Sequence, residues 1–285
     1  MSERLDVAVH DELEDEPRPF RALYEHWERN QWSLFDLDFS VDGASFAALD
    51  DEARRGLMWI FAHRFDAEFE VARLLPPFVV AAPDYDVQLV LATQLADEHR
   101  HLQAVLRVYD EVFGIRGIDQ VRRIAEEHAD PVASRLYDEF DRYLRPLSNG
   151  AGPDAFLGAI VAYHLLAEGV VARTAQNLAG GQYGRFGDFP GLIDGQRHVA
   201  RDEARHIGIG VSFVRRCAAA DPDRTYGVVA DVVGYFSGVA AEMLETAEES
   251  MSDLVVAGYG AQPSEFYGEA MRLLQLRMRS IGFSA

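Results

Sequence analysis

"RDEARHIGIG", residues 201–210, places Asp202, Glu203 and His206 at helical spacing in front of an apolar run. "ADEHRHL", residues 96–102, repeats the arrangement with Asp97, Glu98 and His101, and both stretches read Asp-Glu-x-Arg-His. A Glu and a His three apart share one helix face with their side-chain roots about 5–6 Å apart, close enough to grip one metal ion. With 9 His in 285 residues, any one Glu has roughly a one in thirty chance of a His three positions later. A single pair is weak evidence, but two pairs with the same five-residue pattern are not readily a coincidence.

Working outward, each pair has a lone Glu in an apolar segment upstream: Glu68 is 30 residues before Glu98, and Glu168 is 35 before Glu203. The segments holding these residues, 53–75, 87–113 and 155–179, repeat apolar residues at three and four, which is helical periodicity. Breaks fall at "PPFVVAAPDYD", "GIRG", "PLSNGAGPD", "GGQYGRFGDFPG" and "AAADPDR". Strand signals are weak, so the expectation is one all-α domain of seven or eight helices over residues 19–285, after an acidic, solvated tail over 1–18.

Distances along the chain place the acids at one level. Glu168 lies 12 residues before Gly180, and Glu203 lies 13 after Pro190, so two antiparallel helices bring them together. A further helical segment over about 119–145 returns the chain between Glu98 and Glu168, which makes those two site helices parallel and the connection a long crossover. Four helices then supply Glu68, Glu98 with His101, Glu168, and Glu203 with His206. Four Glu and two His on facing helices are the dinuclear carboxylate pattern of ferritin-like four-helix bundles, here with additional flanking helices. Carboxylate oxygens with one imidazole per ion suit Fe or Mn better than Zn.

Neighbouring residues complete the reading. Glu70 competes with Glu68, but two residues on a helix differ by 200°, and Glu68 is favoured. Asp97 and Asp202 suit the carboxylates that accept the second N–H of a metal-bound imidazole, Asp202 for His101 and Asp97 for His206. His164, one turn before Glu168, reads as a core histidine rather than a ligand.

Composition removes several alternatives. Lysine is absent, so Schiff-base chemistry has no nucleophile, and Cys217 is the single cysteine, which excludes thiolate-rich metal sites and internal disulfides. A formal charge of −20 argues against nucleic acid or an anionic membrane as partner. No uninterrupted apolar run of about 18 residues and no secretory leader are seen, so a soluble, cytoplasmic protein is expected.

With these residues in place, the chain resembles the ribonucleotide reductase small subunit superfamily, and within it the ligand-binding oxidases. "QWSLFDLDFSVD", "EFEVARLLP", "YHLLAEGVVA", "RDEARHIGIG" and the ending "MRSIGF" carry the likeness over most of the chain. The resemblance implies a mixed Mn/Fe or a two-Fe cluster with O2 as co-substrate, oxidising a small apolar organic or fatty-acid-like ligand. It also implies a homodimer; the electron donor is left open. In that family a tyrosine five residues before the third-helix Glu becomes cross-linked to a valine on the first-ligand helix. The matching residues here are Tyr163 and Val71. Five residues on an ideal α-helix leave about 140° between Tyr163 and Glu168, which a π-bulge would reduce. Leu165, Leu166, Val170 and Val171 are candidates to line an apolar channel, against core packing as the commoner role. A reductase small subunit is the first alternative, although the position of its usual radical tyrosine holds Val105. A ferritin-like metal store is the second.

Overall fold

The computed structural model describes residues 14, 16–128, 131–150, 152–180, 188–247 and 262–283, and no strand occurs among them. In chain order the helices are α1 Phe20–Arg29, α2 Ser40–Ala48, α3 Asp51–Leu74, α4 Pro76–Ala81, α5 Tyr85–Glu111, α6 Ile118–Glu127 and α7 Pro131–Leu144. They continue with α8 from Pro153 to Gly180, α9 Pro190–Ala220, α10 Pro222–Ala247 and α11 Pro263–Ser280. The helices outnumber the expected seven or eight because short ones such as α2 and α4 fall below the window in which periodicity is readable. Pro76 opens α4 inside a stretch expected to be only a break, since a proline at the first helical position loses no needed hydrogen bond. The crossover likewise divides into α6 and α7, with Pro131 opening the second.

Local chemistry sets the long helices. Asp50 and Asp84 accept from Ala53 N at 2.8 Å and Val87 N at 3.1 Å, capping α3 and α5. Helix α9 is capped from outside: Asp42 of α2 is fully buried and accepts from Gly191 N and Leu192 N at 3.0 and 2.8 Å. Gly191 is required there, because a Cβ would lie 2.4 Å from Asp38 O.

Side-chain pairs give the directions of the four central helices. Asp97 meets His206 while His101 meets Asp202, so α5 and α9 run antiparallel. Gln94 and Glu98 lie beside His164 and Glu168, so α5 and α8 run parallel, joined by the crossover. Residues Phe156–Val170 of α8 pack with Ile207–Val214 of α9 and with Val87–Leu91 of α5 in one apolar cluster. A second cluster holds Leu57–Phe65 of α3, Leu102–Tyr109 of α5 and Leu192 of α9. On α3, α5 and α9 the acids and imidazoles fall at the seam between the two cores.

Two sequence expectations change. Glu14 is 2% exposed, although it lies in the stretch expected to be a solvated tail; the rest of that stretch, apart from residues 16–18, falls outside the described residues. Helix α8 is long and apolar enough over Pro153–Leu178 to cross a membrane by length and composition alone, yet 78% of its most apolar 18-residue stretch is buried inside the protein.

Candidate metal centre

Glu98 is the hub. One of its oxygens lies 3.3 Å from His101 Nδ1 and the other 3.1 Å from His206 Nδ1. Glu68 approaches His101 Nδ1 at 3.7 Å, and Glu168 approaches His206 Nδ1 at 3.8 Å. Two buried groups result, Glu68 with Glu98 and His101, and Glu98 with Glu168 and His206, each with ligand atoms within 4.8 Å of one another. Glu98 belongs to both, which is the arrangement of a bridging carboxylate. Glu203 is buried close by but stands outside both three-residue groups, with one oxygen held by Gln176 Nε2. Glu70 is not part of the site: it pairs at the surface with Arg73, at 2.6 Å.

Each imidazole is oriented from behind. His101 Nε2 lies 3.3 Å from Asp202, which also accepts from Trp32 Nε1 at 2.7 Å. His206 Nε2 lies 3.2 Å from Asp97, which accepts from Trp27 Nε1 at 2.9 Å and Arg205 at 2.7 Å. An aspartate accepting from Nε2–H holds the ring proton on that nitrogen and turns the Nδ1 lone pair toward the carboxylates. The two Nδ1 atoms, Glu98 Oε1 and Glu168 Oε2 are all buried without a hydrogen-bond partner. Buried acceptors left facing one another without a donor cost about 1–3 kcal/mol each. A cation in each group would satisfy them, so the residues present fit one metal ion per group.

The electrostatics agree. Burial, reinforced by the Glu98 charge against that of His101, pushes Glu68 up to about 7. Burial likewise holds Glu168 well above the carboxylate range. Burial would raise Glu98 too, but the charges of His206 and His101, 3.1 and 3.3 Å from its oxygens, outweigh it and leave Glu98 low. Against burial, the Glu98 charge and Asp97 lift His206 to about 10, and Asp202 with Glu98 holds His101 well above its ordinary value. The carboxylates therefore demand positive charge at the imidazoles, supplied by protons when no ion is bound.

His164 is a core residue: its Nε2 lies 2.9 Å from Gln94 Oε1, and burial with the His206 charge pushes it down to about 3. Gln94 then donates to Glu168 at 2.8 Å, so His164 acts on the site through that amide. Residues Val161–Ala172 form a π-helical segment of α8, where i→i+5 bonding brings residues five apart roughly one turn apart. Tyr163 and Glu168 thereby approach one face. The Tyr163 hydroxyl is buried without a well-formed hydrogen bond, and burial followed by the Glu98 and Glu168 charges holds it far above its ordinary value. Val71 is half-buried and packs against the same apolar cluster as Tyr163.

Leu165, Leu166 and Val170 are buried in that core, whereas Val171 is 41% exposed and points away from it. The cavity that reaches His101, lined by Phe61, Arg64, Val105, Leu192 and Gln196 among others, measures about 30 Å³, room for a water or two rather than an acyl chain. Sequence reasoning missed Gln94, Gln176, Arg64 and the two indoles. Gln94 and Arg64 were findable, each one turn before a site Glu on the same face. Trp27 and Trp32 come from another part of the chain and carried no spacing signal, although Trp32 lies in "QWSLFDLDFSVD", one of the stretches that carry the family resemblance. Arg205, fully buried on Asp97 and Thr93, and Arg100, half-buried between Asp97 and the Trp32 ring, take up the two arginines of the repeated motif.

No family model matches the chain. Among solved structures, it is similar to a tyrosine-to-phenylalanine variant of an R2-like ligand-binding oxidase with aerobically reconstituted Mn/Fe cofactor. The TM-score is 0.79 at 22% identity, covering 94% of each chain. A valine-to-isoleucine variant with anaerobically reconstituted Mn/Fe cofactor matches equally, and a photoconverted form gives a TM-score of 0.75 at 21% identity. The chain therefore has the helical fold of the R2-like ligand-binding oxidases, the branch its motifs resemble.

Proposed function

We propose that this protein is a dinuclear metal oxidase or oxygenase that uses O2 to oxidise a bound apolar organic substrate. The observation that carries the reading is the pair of three-residue groups joined at Glu98, with both imidazole Nδ1 atoms turned onto carboxylates. Glu68, Glu98 and His101 would hold one ion, and Glu98, Glu168, His206 and Glu203 the other. Mn with Fe is the favoured pair, because the structural neighbours are reconstituted with Mn/Fe; two Fe ions are the variant of the same site. When bound, such a pair supplies the electrons that reduce O2.

The chain's own residues do the rest. Asp97 and Asp202 keep each imidazole in the tautomer that binds through Nδ1, and Gln94 holds one oxygen of Glu168. Tyr163, Phe78 and the π segment close the site with apolar walls; the Tyr163 ring lies 5.3 Å from that of Phe78. Joining Tyr163 to Val71 removes one O–H and one C–H hydrogen, two electrons and two protons in all, with O2 as oxidant. The neighbours include variants at a tyrosine and at a valine, which supports attention to this pair. A fatty-acid-sized ligand needs the core around His101 to open beyond its present 30 Å³. A cytoplasmic homodimer is part of the same proposal. A radical-storing reductase subunit is disfavoured by Val105, which is apolar and buried where the tyrosine would stand.

The test is expression with both Mn and Fe, purification in air, metal analysis and intact-mass measurement. About two ions per chain are expected, in roughly equal Mn and Fe amounts, with a mass deficit of about two hydrogens if the link forms. Metal staying far below one per chain after anaerobic reloading would reject the site.

A further inference from the structure

Behind the ligands, one acid ties the start of the described chain to Glu203 through two side chains, and to the backbone beside Glu168 through a third. Glu14 is 2% exposed, and its carboxylate accepts from Arg173 Nη2 at one oxygen and from Arg277 Nη2 at the other. Its backbone carbonyl accepts from Arg277 Nη1 at 3.1 Å. Both arginines are themselves buried, Arg173 at 4% and Arg277 at 0% exposure.

Each arginine continues toward the centre. Arg173 Nη1 donates to Gln176 Oε1 at 3.0 Å, and Gln176 Nε2 donates to Glu203 Oε2. A guanidinium only donates, so it fixes which end of the Gln176 amide faces Glu203. Arg277 Nε donates to Gly169 O at 3.2 Å, the carbonyl one residue past Glu168 in the π segment. Gly169 admits this approach, since a Cβ there would lie 3.1 Å from Arg277 Cδ.

We propose that Glu14 is a positioning residue for the metal centre: it engages the Arg173 charge and so leaves Glu203 to the ion rather than to the guanidinium. This rests on Glu168 and Glu203 being ligands of the second ion. A buried guanidinium deprived of its carboxylate seeks another, because an unpaired buried charge is strongly unfavourable. For Arg173, Glu203 is the carboxylate one amide away, since Gln176 bonds to both. Glu203 paired in that way no longer serves the ion held by Glu98, Glu168 and His206. The ion held by Glu68, Glu98 and His101 makes no use of this relay.

The experiment is a titration of metal-free protein with Fe(II) or Mn(II) against a competing chelator under argon, resolving two binding steps. Wild type is expected to bind two ions; if it binds none, the reading of the centre itself fails, not this relay. Glu14→Gln is expected to weaken one step by about 10–100-fold, the usual effect of removing a group behind a ligand, and to leave the other step near wild type. Glu14→Gln with Arg173→Gln is expected to recover most of that loss, since the guanidinium one amide from Glu203 is gone and Arg277 has no such link to it. Gln176→Leu leaves the buried charges alone and is expected to weaken the same step, which keeps the test decisive should Glu14→Gln not fold. Equal weakening of both steps, no recovery in the double variant, or unchanged binding in Gln176→Leu would each overturn the proposal.

Discussion

The two aspartates behind the imidazoles look equivalent in sequence, but the structure makes their loss unequal. Asp97 is fully buried and serves four donors: Trp27 at 2.9 Å, Arg100 at 3.1 Å, Arg205 at 2.7 Å and His206 at 3.2 Å. Arg205 is 1% exposed and, among the described residues, its other hydrogen bond is to Thr93 Oγ1, at 3.1 Å. Asp97→Asn keeps the volume, turns one acceptor oxygen into a donor and leaves the Arg205 charge without its carboxylate. Breaking a buried ion pair costs about 3–5 kcal/mol. At about 2–4 °C per kcal/mol for a chain of this size, the lower end predicts a fall of about 6–12 °C in the metal-free Tm. Asp202 accepts from Trp32 at 2.7 Å and His101 at 3.3 Å, with Arg100 only at 3.7 Å and part-exposed. Asp202→Asn therefore costs about 1 kcal/mol, one hydrogen bond's worth. Both variants should weaken metal binding by about 10–100-fold, Asp97→Asn at the His206 ion and Asp202→Asn at the His101 ion. Thermal unfolding of the metal-free proteins and chelator competition supply both readouts. Equal Tm losses, or metal affinities unchanged in both variants, would refute the reasoning.

Two further predictions concern the frame and its pH response. Gly210→Ala should destabilise despite better helix propensity, because the new Cβ would lie 2.5 Å from His164 Cβ; overpacking costs about 1–3 kcal/mol. Gly227→Ala on the exposed face of α10, where no atom of the described residues would lie within 4 Å of the new Cβ, should instead stabilise by about 0.4–1 kcal/mol; chemical denaturation separates the signs. Asp66 is pushed up to about 6 by burial and then by the Glu70 and Glu126 charges. Its protonated form is favoured in the folded state, so stability falls as pH rises from about 4 to about 6. Partial exposure limits the change to about 1 kcal/mol, and Asp66→Asn should flatten that part of the stability profile measured by urea titration.

The helical class and the gathering of Glu68, Glu98, Glu168, His101 and His206 were legible in the sequence because helix periodicity and i,i+3 spacing are local, whereas Glu203 stands outside both three-residue groups. Any helix that forms over residues 98–101 or 203–206 places that Glu and His together, whatever surrounds it. The distances to Gly180 and Pro190 were enough to level Glu168 with Glu203, since a helix converts residue count directly into rise. Tertiary packing decided what spacing could not. It turned Glu68 inward and paired Glu70 with Arg73 at the surface, and it set one oxygen of Glu98 against each imidazole. It crossed the two repeats so that Asp97 backs His206 and Asp202 backs His101, and brought Trp27 and Trp32 onto those aspartates. It also buried Glu14 between Arg173 and Arg277, a contact spanning 159 and 263 residues that no local pattern encodes. Burial is the common cause: the charge partner of a desolvated group is chosen by which side chains the fold brings within reach, and sequence separation carries no information about that.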